Sequence, residues 1–182
     1  LYMRPLLYGT MPNIGAASQP SNEATLIVLA SPVWDYFAGG MKPLRIYVED
    51  QKHRTAEPLG TAKTGGNYAS SLVAQQQAIS QGCDQVVFLD AQESRYVEEL
   101  GGMNMYFVYA DGRIVTPETG TILEGITRRS IIELAGKLGY QVEERRISID
   151  EWRDGVTGGE ISEVFACGTA AVVTPIGVLK GK

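Results

Sequence analysis

Short apolar runs, each bounded by turn-forming residues, recur along this 182-residue chain and constrain its fold more than any other feature. The β-branched and aromatic residues typical of strands occur in LRIYVED (44–50) and DQVVFLDA (84–91). A hairpin is predicted for MNMYFVYADGRIVTP (103–117), because Asp111-Gly112 separates two such runs. Two further strands are predicted around a turn of small residues in EVFACGTAAVVTPIGVL (163–179), and one strand in QVEERRIS (141–148).

Helical periodicity appears between these strands. One helix is predicted for NYASSLVAQQQAISQG (67–82), with Gly82 as its C-terminal cap, and an amphipathic helix for TRRSIIELAGKLGY (127–140). A short helix is predicted in SIDEWRDG, with Ser148 as its N-cap. Because hairpins and helical crossovers intermix, the expected fold class is α/β in the mixed, α+β sense.

The first part of the chain has a different composition. Two strands joined by a loop are predicted from LYMRPLLYG (1–9) and ATLIVLAS (24–31), followed by a segment rich in proline and glycine. We therefore predict a first unit at 1–32, a linker at 33–42 and a second unit at 43–182. The chain starts and stops abruptly and has no initiator methionine, so we expect a fragment of a longer protein.

Composition argues against several classes of function. The net charge of −5 disfavours nucleic acid as a partner, and no apolar run is long enough to predict a membrane span. The two cysteines, Cys83 and Cys167, lie far apart, which favours a reduced, cytoplasmic setting. His53 is the single histidine and lies in a polar stretch, so we predict neither a zinc site nor a serine–histidine hydrolase.

Lys63 lies in GTAKTGGNYASS (60–71), among residues with almost no side chain. A nucleotide phosphate loop would need glycines where Glu57 and Ala62 stand. A lysine in a turn is most often simply solvated. The more specific interpretation is a Schiff-base lysine, which needs a desolvated pocket, an acid for a pyridine nitrogen and a seat for a phosphate.

Candidates exist for each requirement. Glu99 lies in YVEELGGMNMYF, where it could be a surface carboxylate or the partner of a pyridinium. In GTILEGITRRS (120–130) a glycine precedes an amphipathic helix, and a helix N-terminus binds anions, although such a glycine is usually only a cap. A second small-residue turn, CGTAAV (167–172), offers the hydroxyl of Thr169.

Taken together, these stretches resemble the class IV pyridoxal-phosphate aminotransferases and, within them, the branched-chain amino acid aminotransferases. The resemblance covers essentially the whole chain, since LYMRP, KTGGNYA, EELGGMNMYF, TPETGTILEGITRRS and EVFACGTAAVVTP occur in the family's order. It implies the large domain of fold-type IV enzymes, with mixed sheets forming a pseudo-barrel, flanking helices and two strands of the small domain. It further implies a homodimer that uses pyridoxal 5'-phosphate to transaminate branched-chain L-amino acids with 2-oxoglutarate, in amino-acid biosynthesis.

The resemblance also implies roles for individual residues. Lys63 would be the catalytic lysine that bonds to the cofactor, Tyr68 would point its hydroxyl toward the phenolic oxygen of the ring, and Glu99 would hold the pyridine nitrogen. The cofactor phosphate would be bound by the backbone N–H groups of Ile126 and Thr127 and by the hydroxyl of Thr169.

The substrate side would be lined by Gly102 and the Thr169–Ala170 turn. Tyr2 and Arg4 would come from the small domain, where the arginine accepts the side-chain carboxylate of glutamate. The chain also departs from the family. We expect that this sequence lacks an upstream arginine that binds the phosphate in the family. We expect that it also lacks the end of the large domain. Ala171 and Thr174 stand where vertebrate members have the redox-sensitive CxxC.

Several alternatives stay open at this point. D-amino acid aminotransferase and aminodeoxychorismate lyase share the fold, and the LYMRP and KTGGNYA motifs favour the branched-chain group. The chain could also be an inactive cofactor-binding fragment, or a scaffold domain with a surface lysine.

Overall fold

The computed structural model describes residues 1–14, 19–34, 41–55 and 59–181. Its contacts divide the chain into two compact units, Leu1–Ala38 and Gly39–Lys182. The predicted linker at 33–42 lies mostly outside the described residues, so the domain boundaries stay a prediction.

The first unit is a two-stranded antiparallel ribbon. Strands β1 (Tyr2–Gly9) and β2 (Ala24–Ser31) confirm both predicted strands, with Tyr2 opposite Ser31. Nearly all of their side chains are exposed, including the apolar ones. Two strands alone provide no second layer against which an apolar face could be buried.

In its described residues, the second unit is a curled eight-stranded sheet with three α-helices, which confirms the mixed α+β class. Its strands are β3 (Leu44–Glu49), β4 (Gln85–Leu89), β5 (Val97–Leu100), β6 (Asn104–Tyr109), β7 (Ile114–Thr116), β8 (Val142–Glu144), β9 (Ile161–Gly168) and β10 (Val172–Lys180). Its helices are α1 (Gly65–Ser80), α2 (Ile126–Lys137) and α3 (Ile149–Gly158), preceded by a 3-10 turn, Leu59–Thr61.

The sheet order is β5-β4-β3-β10-β9-β6-β7-β8. Strand β3 runs parallel to β4 and β10, and β7 runs parallel to β8, whereas the other pairs are antiparallel. Strand β10 pairs first with β9 and then with β3, and its register shifts between Ile176 and Val178. A tight turn joins β5 to β6, with Leu100 N 3.0 Å from Met103 O, so the curl brings the edge strand β5 beside β6.

Local predictions hold well in this unit. Strands β6 and β7 form the predicted hairpin, with Phe107 opposite Val115. The Ser148 hydroxyl caps α3 by accepting the Glu151 N–H at 3.0 Å. Gly82, just beyond α1, has φ of 71°, a backbone conformation that suits glycine.

One strand prediction needs correction, and one strand was not predicted. The predicted strand at 141–148 is only Val142–Glu144, because the chain leaves the sheet at Arg145, whose guanidinium binds Glu151 of α3 at 2.7 Å. Strand β5 was not predicted from the sequence, and all four of its residues, including Glu98 and Glu99, are buried.

Aromatic side chains fill the space around the central strands. Phe107 of β6 meets Trp152 of α3 edge-on, with ring centroids 5.3 Å apart, and Tyr106 stacks on Phe165 at 5.0 Å.

Among the described residues no helix is long and apolar enough to cross a membrane. Within the same ranges no three His, Cys, Asp or Glu residues are arranged to hold a metal ion.

Candidate active site

Residues 59–68 form a segment that we call the lysine turn. Asn67 lies buried in the first turn of α1 and donates from Nδ2 to the carbonyl oxygens of Leu59 and Ala62, at 2.7 and 2.9 Å. The Thr55 hydroxyl donates to Asn67 Oδ1 at 2.8 Å. The backbone just before Lys63 is therefore held by side-chain amide bonds, although the residues around it are small.

The side chain of Lys63 itself is exposed. Its Nζ lies 5.6 Å from the ring centroid of Tyr68, which is half-buried. The expectation of a desolvated lysine pocket is therefore not met within the described part of the chain. The described neighbours of Lys63 along the chain are small and do not cover its side chain.

Glu99 occupies the opposite situation on β5, where its side chain is 3% exposed. Its Oε1 forms an ion pair with Arg54 Nη2 at 2.9 Å and accepts a hydrogen bond from the Leu123 N–H at 3.1 Å. Its Oε2 accepts from Asn104 Nδ2 at 3.2 Å. We call Arg54, Glu99, Asn104, Leu123 and Gly125 the acid wall.

Burial raises the pKa of Glu99 to about 7, and the charge of Arg54 is the largest influence in the opposite direction. The Leu123 N–H and Lys63 also lower this pKa, whereas Glu98 raises it. A carboxyl with a pKa near neutrality can either hold or release a proton under ordinary conditions, which is the property that proton chemistry needs.

The N-terminus of α2 adjoins this acid. Asn104 donates a second bond from Nδ2 to the Leu123 carbonyl at 2.9 Å. A Cβ on Gly125, the N-cap of α2, would overlap Asn104 Oδ1, so any larger residue would require the Asn104 amide to shift. No side chain caps the helix, and the first N–H groups, those of Ile126 and Thr127, have no intrahelical acceptor. This end of the helix favours an anion.

Arg128 fixes the orientation of α2 from the interior. Its Nη2 donates to the Pro117 carbonyl at 2.9 Å and to Glu144 Oε2 at 2.7 Å. The Tyr106 hydroxyl donates to the Arg128 carbonyl at 2.6 Å. These bonds fix the first turn of α2, and with it the free N–H groups, in position against the sheet.

The β9–β10 turn carries Thr169 and Ala170, both exposed. Gly168, which precedes it, lies against Gly102 and Met103, since a Cβ at Gly168 would stand 3.5 Å from Met103 Cγ and 3.7 Å from the Gly102 carbonyl. A Cβ at Gly102 would in turn stand 3.7 Å from Tyr68 Cε1. The strand end before this turn, Gly102 and the lysine turn thus lie side by side.

The second unit therefore brings together most of the sequence-predicted site residues. Tyr2 and Arg4 lie on β1 in the first unit, where the guanidinium carbon of Arg4 is 5.1 Å from the Tyr2 ring centroid. Their role in the site stays a prediction.

Sequence reasoning missed Arg54, Asn104 and Asn67. Asn104 had a signal, because it is a lone amide inside the apolar run MNMYFVY. Arg54 had no such signal, since it lies in the polar stretch QKHRT. Its buried partner, Glu99, lies far from it along the chain.

The fold is that of a known class of enzymes. Residues 1–178 match the family described as amino-transferase class IV, and the chain belongs to that family. It is 53% identical over 182 residues to the probable branched-chain-amino-acid aminotransferase of Streptomyces coelicolor, covering 99% of this chain and 49% of that protein. The chain spans about half the length of the curated relatives it matches.

Solved structures of branched-chain aminotransferases are similar to this chain over nearly its whole length. The branched-chain aminotransferase of Thermoproteus uzoniensis with norvaline is 32% identical, with a TM-score of 0.84 over 99% of this chain and 57% of that chain. A branched-chain amino acid aminotransferase of T.th. with pyridoxamine 5'-phosphate is 35% identical, with a TM-score of 0.82 over 97% of this chain and 56% of that chain.

Proposed function

We propose that this chain is the cofactor-binding part of an enzyme that transfers the amino group of branched-chain L-amino acids to 2-oxoglutarate. The observation that carries the proposal is Glu99. It is a buried acid with a pKa of about 7, placed beside an uncapped helix N-terminus and electrostatically coupled to Lys63. The names of relatives at about half identity support the choice of substrate.

The residues present fit pyridoxal 5'-phosphate. Glu99 Oε2 accepts only one bond, from Asn104, among the described residues, so it retains capacity for the N–H of a pyridine ring. The N–H groups of Ile126 and Thr127, with the Thr169 hydroxyl, would hold the phosphate, and Tyr68 would bind the phenolic oxygen. The cofactor, when bound, supplies an electron sink for the negative charge that develops at the substrate Cα.

Lys63 would perform two tasks. Its amine would be the group that holds the cofactor covalently when no substrate is bound. When free, the Nζ of Lys63 would act as general base for the proton on the substrate Cα and would hold that proton for its return to the reacting molecule. Glu99 would keep the ring nitrogen protonated throughout these steps.

Several residues are proposed for substrate selection. Gly102, Thr169 and Ala170 would line the side that receives the branched chain, and Tyr2 and Arg4 would receive the carboxylate of glutamate. A site that accepts both must discriminate by position as well as polarity. We further propose that the enzyme is a cytoplasmic homodimer. Because Lys63 is exposed here, we propose that further protein covers this amine in the active enzyme.

The test is covalent trapping in the full-length protein. Pyridoxal phosphate followed by borohydride should modify Lys63, as read by peptide mass spectrometry. Lys63→Ala should lose this adduct and all turnover, whereas Lys137→Ala, which changes an exposed lysine on α2, should keep both. Turnover in Lys63→Ala would refute the assigned role of the lysine.

A donor panel distinguishes the alternatives. Branched-chain L-amino acids should react with 2-oxoglutarate, whereas preferred turnover of D-amino acids would indicate a D-amino acid aminotransferase. Trapping without turnover of any donor would indicate a protein that binds the cofactor but is inactive.

A further inference from the structure

We infer that Arg54 is a positioning residue for Glu99: it anchors one carboxylate oxygen and favours the ionised group, leaving the other oxygen for a ring nitrogen. The inference rests on the proposed function for its purpose, but its geometry and its test do not depend on cofactor or turnover.

Arg54 is itself rigidly placed. The pair with Glu99 is buried at both ends, with side-chain exposures of 5% and 3%. Arg54 Nη2 also reaches the carbonyl oxygens of Gly60 at 2.8 Å and Thr121 at 3.1 Å. Two backbone carbonyls from different parts of the chain therefore hold the cation against the acid.

The two oxygens of Glu99 are used unequally. Oε1 is in ion-pair contact with Arg54 at 2.9 Å and accepts from the Leu123 N–H, whereas Oε2 accepts from Asn104 alone among the described residues, at 3.2 Å. An ionised carboxylate can accept about four hydrogen bonds. Arg54 therefore fixes the carboxylate by one oxygen and leaves lone pairs on the other.

The charge of Arg54 also acts on Glu99. Burial favours the neutral acid, and the charged groups that act on Glu99 are Arg54 and Lys63, which lower its pKa, and Glu98, which raises it. Lys63 is exposed, so water screens its charge, whereas Arg54 is buried and in contact. Without Arg54, Glu99 would be protonated at neutral pH and would lose its attraction for a protonated ring.

The same arginine also links the acid to the lysine turn. Its bond to the Gly60 carbonyl lies three residues before Lys63. The next residue, Thr55, bonds to Asn67, which holds the turn from the other side. Purely structural support would explain these bonds too, so the test must read the titration of Glu99 directly.

The experiment is a pH titration of the cofactor-free full-length protein, with the Glu99 carboxyl carbon followed by 13C NMR and assigned through Glu99→Gln. Arg54→Gln should lower the acid ionisation constant of Glu99 at least tenfold, the scale for losing an adjacent opposite charge. Arg54→Lys should restore part of it. Arg153→Gln, which removes an exposed cation paired with Asp150, should change nothing.

An unchanged titration of Glu99 in folded Arg54→Gln would overturn the inference. If that variant does not fold, Arg54→Lys decides, because an ammonium on a different stem cannot contact Glu99 and both carbonyls with the geometry of Arg54 Nη2 and should produce a smaller shift in the same direction. No shift in Arg54→Lys would then overturn it. Failure of the proposed transaminase activity, measured separately by trapping and turnover, would leave this result unaffected.

Discussion

In the acid wall both carboxylate oxygens of Glu99 have hydrogen-bond partners, whereas the amine of the lysine turn is exposed to solvent. The backbone of the lysine turn is nevertheless held by Asn67, so the exposure belongs to the side chain alone. The difference matches the two tasks proposed. An acid that holds a ring must be oriented beforehand, whereas a lysine that bonds, departs and moves a proton needs freedom of its side chain.

The largest effect is expected where the two regions meet. Gly60→Ala would place a Cβ onto the backbone carbonyl of Thr121, in a segment that Arg54 clamps through the Gly60 carbonyl. The free energy of unfolding should fall by about 3 kcal/mol or more, because backbone on both sides must shift. Urea denaturation measures this loss.

The matched control is Gly136→Ala, in exposed helix α2, where an added Cβ meets nothing within 4 Å. It should stabilise the protein by up to about 1 kcal/mol, since alanine is the better helix former. Similar effects of the two substitutions would mean that the packing at Gly60 is not as tight as described.

The acid wall should also appear in the pH dependence of stability. Folding raises the pKa of Glu99 from 4.5 to about 7, so the native state retains a proton that the unfolded state has released. The resulting stabilisation is full below pH 4.5 and is lost as the pH rises through 7. The difference is about 3 kcal/mol at 1.36 kcal/mol per unit.

Glu99→Gln should remove this component and flatten the fall between pH 5 and 7, measured by denaturation at several pH values. Glu133→Gln, at an exposed helical site, should leave the profile as in the parent protein. A parent and a Glu99→Gln profile that run parallel would contradict the neutral-range titration.

Asn104→Ala is expected to have a moderate effect. It leaves Glu99 Oε2 and the Leu123 carbonyl without the Nδ2 donor, and Asn104 is buried. The stability loss should be about 2 kcal/mol, the scale for stranded buried acceptors. Gln141→Ala, which removes an exposed amide bond to Glu143, should cost less than about 0.5 kcal/mol by thermal denaturation. Equal losses of unfolding free energy in the two variants would contradict a structural role for the Asn104 bonds to Glu99 and Leu123.

The smallest effect is expected in the lysine turn. Lys63→Met should change the free energy of unfolding by no more than about 0.5 kcal/mol, because an exposed side chain has little packing to lose. The measurement is again urea denaturation, without cofactor. A loss above about 1 kcal/mol would show that Lys63 is packed, and the contrast between the two regions would disappear.

Local chemistry explains which predictions held. The Asp111-Gly112 turn, the Ser148 cap and the periodicity of α2 depend on neighbours in sequence, so they could be recognised before the fold was known. Strand β5 could not, because its burial comes from β4 on one side and from Arg54 and Asn104 elsewhere.

The amino-acid sequence by itself determined the mixed class, most of the helices and strands, and the choice of Lys63 and Glu99 as candidate groups. Only the tertiary structure decided that Glu99 is buried against Arg54 and that Lys63 is exposed. The physical reason is distance along the chain. Turns and caps are satisfied within a few residues, whereas the environment of a charge is set by groups from distant segments that folding brings together.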